Sequence, residues 1–279
     1  QAGPSCTQML AWLGAAVIKI ERPGVGDRAR VLSRGDTPNP ESYFFLLMNN
    51  NKRSTVIDLK SEEGMAIARK MVEKADVVTE NLGPGAMDRL GLTWENVHKL
   101  NPRAVYASVK GFGSYGPYAD YKCFEMVAQA MSGVMSVTGY PDTPMVTGAN
   151  VGDSGTGMHL AIAILGALMQ RERTGKGQRV EVAMQEAALN LTRTKYAYTL
   201  TTGQPHPRTG NRSSSNTFSD LYRCAGDKPT DCVYLMVAPD NPEAFRIDTH
   251  HTMDLEEAVR QYWTAALPMQ PLCRPDCRG

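Results

Sequence analysis

Short runs of β-branched residues alternate with helical segments over the first two hundred residues of the chain. The runs lie at 15–21, 54–59, 75–81, 104–112 and 178–184. Between them, 62–75 and 94–101 have the spacing of apolar residues that is typical of helices. Strands that alternate with helices are joined by right-handed crossovers, so this order favours a mostly parallel sheet. We therefore predict an α/β fold.

The composition favours a soluble protein without a nucleic-acid partner. Apolar residues make up 42% and charged residues 21% of the 279 residues, and the net charge is +1 with no basic tract. The longest apolar stretch, 160–169, is about half the length of a membrane span. We expect no membrane partner and a cytoplasmic or mitochondrial-matrix location. No targeting signal is visible after Gln1, and we expect the chain to begin inside a longer reading frame.

The cysteines predict free thiols and no metal. The six are Cys6, Cys123, Cys224, Cys232, Cys273 and Cys277. They form no C-x-x-C pair, and in a chain of this length scattered cysteines indicate a reducing compartment. Cys273 and Cys277 are close together, but no second pair or histidine completes a zinc site.

Polar loops rich in glycine follow the predicted strands, and ligands of α/β sheets bind at that edge. Four of these loops carry a cation: Arg22, Lys60, Arg89 and Lys110. Each loop alone suits an ordinary connection, but together they favour an anionic ligand. The chain has no Walker loop and no G-x-G-x-x-G that opens a helix, so a nucleotide-binding fingerprint is absent.

The sequence changes character near Thr202. We predict a large domain over 1–200, a linker rich in Gly, Pro and Ser over 201–230, and the start of a smaller domain over 231–279. After about Arg246 we expect a divergent or truncated C-terminal end.

The segment Gly-Asp-Ser-Gly at 152–155 offers either a serine or an aspartate as nucleophile. A serine nucleophile elbow is G-x-S-x-G, but Thr156 stands in the place of the last glycine, and no histidine is marked as a base. The apolar run 158–169 predicts a buried helix, and its N-terminus favours a carboxylate. We therefore predict that Asp153 is the nucleophile and that Ser154 serves in positioning and at the helix entry.

Three glycines, Gly152, Gly155 and Gly157, flank this carboxylate. We expect their lack of side chains to give room for a bulky acyl group, so that Asp153 attacks a thioester and forms a mixed anhydride. The alternative is that Asp153 only caps the helix. We expect His159 to be a packed, hydrogen-bonded residue and not a catalytic acid.

Six blocks of the sequence carry a family resemblance: 1–8, 14–30, 49–64, 75–95, 152–159 and 173–187. In this order they resemble the class III (family III) CoA-transferases over roughly residues 1 to 245. The resemblance implies a Rossmann-like large domain, part of a smaller α/β domain and an interlocked homodimer. It also implies transfer of CoA from a formyl-CoA-like acyl-CoA to a small, oxalate-like carboxylic acid, through an aspartyl anhydride and an aspartyl-CoA thioester.

The same resemblance implies site residues. The catalytic aspartate falls on Asp153, and Gln1 lies next to the reacting carbonyl. The residues implied for CoA contact are Arg22, Leu59, Asn81, Arg89 and Lys122. Phe124 stands where the family has Tyr, and the glycine-rich substrate loop is not found, which leaves the acceptor acid open.

Two alternatives remain open. The α-methylacyl-CoA racemase branch shares the fold, but racemisation requires a histidine that faces the aspartate, and 118–129 contains none. The other alternative is a CoA-binding family member without turnover, which would follow if the C-terminal end removes the acceptor pocket.

Overall fold

The computed structural model describes residues 1–32, 42–213, 219–224 and 228–236. Contacts divide the chain into two compact units, 1–210 and 211–279. The first unit holds most of the regular structure. In the described part of the second, the regular structure is one antiparallel pair of strands. One of these strands, Asp220–Arg223, lies inside the stretch predicted as a linker.

The helices and strands of the described residues follow each other in the predicted alternating order. The helices are α1 (Ala2–Trp12), α2 (Tyr43–Asn49), α3 (Glu62–Lys74), α4 (Ala86–Arg89), α5 (Trp94–Leu100), α6 (Glu125–Met131), α7 (Val134–Val137), α8 (Asp153–Thr174) and α9 (Met184–Thr202), with a 3-10 turn at Arg28–Val31. The strands are β1 (Val17–Glu21), β2 (Lys52–Val56), β3 (Val77–Glu80), β4 (Val105–Lys110), β5 (Gly139–Tyr140), β6 (Thr143–Pro144), β7 (Arg179–Ala183), β8 (Asp220–Arg223) and β9 (Cys232–Leu235).

The five strands predicted from the β-branched runs pair in parallel, which confirms the α/β prediction. β1 pairs with β2, and Glu21 lies opposite Val56. β4 is the centre of a second set in the order β3-β4-β7. Among the described residues these are two separate sets of strands, whereas the sequence led us to expect the cationic loops in one sheet. β5–β6 and β8–β9 are short antiparallel pairs.

The main core lies between β4 and the helices α1 and α8. Ala107 and Val109 of β4 are buried because β4 has a strand on each side and helices against it. From α8, Leu160 and Ile164 pack onto this strand and are fully buried. Burial of side chains of this size contributes about 1.5–3 kcal/mol each, so this contact fixes α8 on the sheet.

The helix α8 is buried on one face only. Met158, Ile162 and Met169 are 44%, 70% and 72% exposed, while Leu160 and Ile164 on the opposite side are buried. The prediction that this helix is buried all round is therefore wrong for the chain as described. A run that is apolar on all sides can still expose one face when the surface that would cover it is absent from the single chain.

None of the helices in the described ranges combines the length and the apolar character that crossing a membrane requires. Cys6, Cys123, Cys224 and Cys232 are free thiols. Within the same ranges no cluster of three or more His, Cys, Asp or Glu side chains is arranged to hold a metal ion. Cys273 and Cys277 lie outside the described residues.

Candidate active site

The first turn of α8 is capped by an acid from a distant helix. Gly152 precedes the helix and has no side chain to cap it. Instead, the backbone N–H of Gly152 donates to Oε1 of Glu125 at 2.9 Å, and that of Asp153 donates to Oε2 at 2.5 Å. A carboxylate at this position satisfies N–H groups that a helix start otherwise leaves free. Glu125, which opens α6 and is only 7% exposed, thereby fixes the backbone of Asp153.

The side chains of α1 approach the same turn from the other side. Nε2 of Gln1 donates to Oγ of Ser154 at 3.2 Å, and Oγ of Ser5 lies 3.4 Å from the same atom. The backbone nitrogen of Gln1 is 3.8 Å from Oδ1 of Asp153. Gln1, Asp153 and Ser154 therefore come together as expected, and the Ser154 hydroxyl contacts side chains of α1.

Glycines allow α1 to approach this closely. A Cβ on Gly157 would lie 2.7 Å from the carbonyl oxygen of Ala2 and 2.9 Å from the backbone nitrogen of Cys6. On α1 itself, a Cβ on Gly3 would lie 2.7 Å from Oδ1 of Asn81. These distances are too short for a real side chain. The first turn of α1 is thus packed closely between α8 and the side chain of Asn81 in the loop after β3.

The expected role of the three glycines around Asp153 is wrong. A Cβ on Gly152 would lie 2.8 Å from Cβ of Ala128, and one on Gly155 would lie 2.6 Å from Cδ1 of Leu191. Gly157 faces α1. The space that these glycines leave is filled by the packing of α1, α6 and α9, so it is not free for an acyl group. Helix–helix contact explains them, and such contact cannot be read from local sequence.

Burial raises the pKa of the Asp153 carboxyl above its ordinary value, and the negative charge of Glu125 acts in the same direction. The positive charge on the backbone nitrogen of Gln1, and then a hydrogen bond from the backbone of Ala2, oppose the shift without reversing it. The side chain is 18% exposed, so it can be reached from solvent. A carboxylate held with few donors is a better nucleophile than one saturated by hydrogen bonds, because less stabilisation is lost when it reacts.

A cysteine close to this carboxylate is not a competing nucleophile. Burial, followed by the charges of Asp153 and Glu125, raises the pKa of Cys123 to about 11. The thiolate is the reactive form of cysteine, so near neutral pH this side chain is almost wholly unreactive.

His159 is held by two hydrogen bonds. Its Nδ1 lies 2.7 Å from the carbonyl oxygen of Gly155, and its Nε2 lies 2.7 Å from Nδ2 of Asn190. A carbonyl oxygen only accepts, so Nδ1 carries the proton and Nε2 accepts from the amide. The ring is a packed, hydrogen-bonded residue, as the sequence led us to expect.

Arg22 and Leu59 follow the paired strands β1 and β2 at the same edge. Arg22 is exposed, and Leu59 is half-buried against the core of α3 and α5. An open cavity of about 240 Å³ lies beside Arg22. Its lining residues are Glu21, Arg22, Gly24, Val25, Gly26, Arg30, Ser54 and Val56.

The loop that carries Arg22 is held by a cluster of charges around Glu21. Both oxygens of this buried carboxylate accept from the guanidinium of Arg30 at 2.7 Å, and Oε1 also accepts from Oγ of Ser54 at 2.6 Å. The backbone N–H of Asp27 donates to Oε2 at 2.8 Å, and Lys19 pairs with the Asp27 carboxylate at 2.6 Å. The Arg30 hydrogen bonds are the chief cause that lowers the pKa of Glu21 to about 2.

One of the four predicted cations is engaged within the protein. Lys110, at the end of β4, pairs with Oε1 of Glu80 at 2.8 Å and donates to the carbonyl oxygen of Leu82 at 3.3 Å. The expectation that Lys110 contributes to an anion site is therefore wrong, since its charge is balanced by an acid of the neighbouring strand. The pair instead ties β4 to the loop that carries Asn81.

The remaining residues implied for CoA contact, Asn81, Arg89 and Lys122, are all exposed. Asn81 contacts Gly3 of α1 and is thereby brought near Gln1. Arg89 ends α4 and lies over Gly85. Lys122 lies in the loop before α6. Within the described residues, neither Arg89 nor Lys122 contacts Asp153.

Glu125 and Ser5 are the site residues that sequence reasoning missed. Glu125 stands 28 positions before Asp153, and its role depends on the long-range approach of α6 to α8. Its spacing of four from Gln129 on α6 is the one local signal that could have drawn attention to it.

Comparison with known sequences places these residues in a family. The sequence profile of CoA-transferase family III matches residues 1–266, which extends the resemblance beyond residue 245. A formyl-CoA:oxalate CoA-transferase from Streptomyces avermitilis is 49% identical over 253 residues, which cover 86% of this chain and 61% of that protein. One from Rhodopseudomonas palustris is 45% identical over 247 residues, with 81% and 57% covered. The chain thus spans about three fifths of the length of the curated relatives it matches.

Solved structures agree with this assignment. A CAIB/BAIF family protein from Brucella suis superposes with a TM-score of 0.75 at 36% identity, covering 79% of this chain and 59% of that one. A hypothetical protein from Mycobacterium tuberculosis gives a TM-score of 0.67 at 33% identity, with 80% and 58% covered.

Proposed function

The chain belongs to CoA-transferase family III, and on this premise we propose that it moves CoA from a formyl-CoA-like donor to an oxalate-like acid with Asp153 as nucleophile. The observation that carries the proposal is the environment of Asp153. Its carboxylate is partly buried at the start of α8, its pKa is raised by burial, and the side-chain amide of Gln1 donates to the adjacent Ser154. The names of the two bacterial relatives support the choice of donor and acceptor.

The first half of the reaction releases the donor acid. An oxygen of the Asp153 carboxylate attacks the thioester carbon, the carbon–sulfur bond breaks, and CoA leaves as the thiolate. This gives a mixed anhydride between Asp153 and the donor acyl group. The thiolate then attacks the Asp153 carbonyl carbon of the anhydride, which expels the donor carboxylate and leaves an aspartyl-CoA thioester.

The second half repeats these steps in reverse with the acceptor. The acceptor carboxylate attacks the aspartyl thioester, CoA thiolate leaves, and a new anhydride joins Asp153 to the acceptor. The thiolate attacks the acceptor acyl carbon, and the Asp153 carboxylate is regenerated. Each step exchanges one acyl bond for another, so no oxidant, metal or net proton is required.

The neighbouring groups have distinct parts in this proposal. The amide of Gln1, now bonded to Ser154, is placed to donate to the oxygen of the reacting carbonyl, which becomes negative in the transition state. We assign binding of CoA to Arg22, Leu59, Asn81, Arg89 and Lys122. Water would hydrolyse the reactive anhydride, so the reaction requires exclusion of water, which the partial burial of Asp153 favours.

We also propose that the chain acts as a homodimer. Its support is the exposed apolar face of α8, formed by Met158, Ile162, Leu165 and Met169. An apolar face of this kind is typical of a surface that another chain covers. An interlocked arrangement of two chains would account for it.

The test is mass spectrometry of the protein after incubation with formyl-CoA in the absence of an acceptor. We expect a CoA-sized increase in mass on the peptide that contains Asp153, and hydroxylamine should convert it to an Asp153 hydroxamate. D153N should gain no mass under the same conditions, while S154A, the matched control, should still be modified. Modification of Ser154 would contradict the proposal and support a hydrolase.

Two further assays distinguish the two alternatives. Retention of the protein on a CoA matrix, with no adduct on Asp153 and no transfer of CoA to an acceptor acid, identifies a CoA-binding protein without turnover. Exchange of the α-proton of a 2-methylacyl-CoA with deuterium in solvent would identify a racemase. We expect no such exchange, since 118–129 carries no histidine that could serve as the second base.

A further inference from the structure

Glu125, which fixes the backbone of Asp153, is itself held by a buried glutamine. Gln129 lies four residues later on α6, on the same face of the helix, and it is fully buried. Its Nε2 donates to Oε1 of Glu125 at 2.8 Å. That oxygen also accepts from the backbone of Gly152, so the amide of Gln129 orients the carboxylate that caps α8.

The other end of the same amide holds a separate segment. Oε1 of Gln129 accepts from the backbone N–H of Thr147 at 2.9 Å. Thr147 stands six residues before Asp153 in the stretch that leads from β6 into α8. Both polar ends of the buried side chain are therefore satisfied, which is the condition under which a buried amide stabilises a structure.

The packing around Gln129 leaves little space for rearrangement. Ala128 contacts Gly152, where a Cβ would lie 2.8 Å from Cβ of Ala128. Ala128 and Gln129 are both fully buried, so Gln129 lies beside a tight contact with the residue that precedes α8. A shift of the Glu125 carboxylate would therefore move the start of α8 with it.

We propose that Gln129 is a positioning residue for Asp153, because it joins Thr147 to Glu125 and so fixes both the entry to α8 and the acid that caps it. The proposal rests on the proposed function of Asp153 as nucleophile. Gln129 does not touch the reacting atoms. It acts through Glu125, whose two oxygens accept from the backbone of Gly152 and Asp153.

The test compares Q129M with Q185M in the 279-residue chain. Methionine has nearly the length and volume of glutamine but makes neither hydrogen bond. Gln185 is the matched control, since its amide donates to the carbonyl oxygen of Met131 at the other end of α6, away from Asp153. We expect Q129M to lower the kcat of CoA transfer about tenfold or more with KM for acyl-CoA changed less than about twofold. Q185M should leave kcat within about twofold.

A second measurement does not depend on activity. Hydrogen–deuterium exchange of the segment 147–157 should be faster in Q129M than in the wild type, and unchanged in Q185M. Equal exchange of this segment in Q129M and wild type, or a kcat within twofold of wild type, would overturn the proposal. A Q129M protein that does not fold would be recognised because a CoA matrix no longer retains it. In that case the Q129E variant tests the proposal.

The Q129E variant separates positioning from simple packing. Its carboxylate can still accept from Thr147, but it can donate to Glu125 only when protonated. We expect its kcat relative to wild type to rise at least about threefold between pH 8 and pH 5.5, because protonation restores the donor. A ratio that stays flat over this range would contradict the role of Gln129 as a donor to Glu125.

The outcomes for Gln129 and for Asp153 can be told apart. If wild-type protein forms no adduct on Asp153, the proposed function fails, whatever Q129M does. If the adduct forms in wild type and forms equally fast in Q129M, the nucleophile stands and the inference about Gln129 is wrong.

Discussion

Two carboxylates in this chain, one buried and one partly buried, have opposite surroundings. Glu21, beside the cavity at β1, accepts from Arg30, Ser54 and the backbone of Asp27, and its pKa is lowered to about 2. Asp153, at the start of α8, has few donors and a second carboxylate nearby, and its pKa is raised. The first acid is stabilised as an anion and shapes a loop. The second is held as a less stable anion, which is the property that a nucleophile needs.

The largest expected difference between these two carboxylates is in activity. D153N should lower CoA transfer by at least about 1,000-fold, because the covalent intermediate can no longer form. Its free energy of unfolding at pH 7 should be equal to or above that of wild type. A raised pKa in the folded state means that ionisation of Asp153 favours the unfolded chain above that pKa, and the neutral amide removes this cost. Exchange assays and urea unfolding measure the two effects, and residual transfer near the wild-type rate would contradict the assignment.

The next largest effect concerns the packing that brings α1 to Asp153. G157A places a methyl group against the backbone of Ala2 and Cys6, so we expect the free energy of unfolding to fall by about 2–3 kcal/mol and the rate of adduct formation to fall with it.

The control for this substitution lies on the same helix. Gly166 is exposed in the single chain and has no atom within 4 Å of an added Cβ, so G166A should raise the free energy of unfolding of the monomer by up to about 1 kcal/mol, measured at a protein concentration low enough to keep the proposed homodimer dissociated. Urea unfolding of G157A and G166A measures the two changes in the free energy of unfolding. Equal effects of the two substitutions would show that Gly157 is not a close contact.

A smaller effect is expected at Glu21, on the free energy of unfolding and not on the formation of the Asp153 adduct. E21Q leaves Arg30 without its carboxylate, and at pH 7 we expect a loss of about 2 kcal/mol, moderated because Arg30 is still partly in contact with water. Since the folded-state pKa of Glu21 is lowered, its contribution is complete above about pH 4.5 and is lost as the pH falls towards 2. Urea unfolding between pH 7 and pH 3 should show the two proteins converging, while the adduct on Asp153 still forms in E21Q. A constant difference across this range would contradict the role of the Glu21 charge.

The smallest expected effect is a shift of the acid limb of activity. Asp153 must be ionised to attack, so the rate of adduct formation should fall as the pH drops through a value above 3.8, the ordinary pKa of an aspartate. E125Q removes one of the causes of the raised pKa, so its acid limb should lie at lower pH than that of wild type. Rates measured between pH 4 and pH 8, over the range in which circular dichroism shows folded protein, give both midpoints. A wild-type midpoint at or below 3.8 would refute the shift.

The parts of this architecture that depend on local pattern could be predicted. The β-branched run at 104–112 and the helical spacing of apolar residues at 62–75 each arise within one element, and both elements form where expected. Asp153 could be placed at a helix start because glycines precede an apolar run. These features need no knowledge of what packs against them.

The parts that depend on contacts between distant segments could not be predicted. Lys110 looks like a free cation in sequence, and only the pairing of β3 with β4 brings Glu80 beside it. The glycines near Asp153 suggest open space, whereas they are the points at which helices touch. Glu125 is 28 positions away from Asp153 in sequence, so its capping of α8 becomes visible only when α6 and α8 are placed together.

The first turn of α1 has a consequence for the precision of the site. Gly3 contacts Asn81 on one side, and the backbone of Ala2 contacts Gly157 on the other. On the side of α8, the approach of α1 is therefore set by helical backbone and the Cβ of Ser5, whose positions bond lengths and hydrogen bonds fix in every α-helix. Side chains can change rotamer with temperature or ligand, but a backbone spacer cannot. Thermal motion at this point should thus move α1 and the start of α8 together.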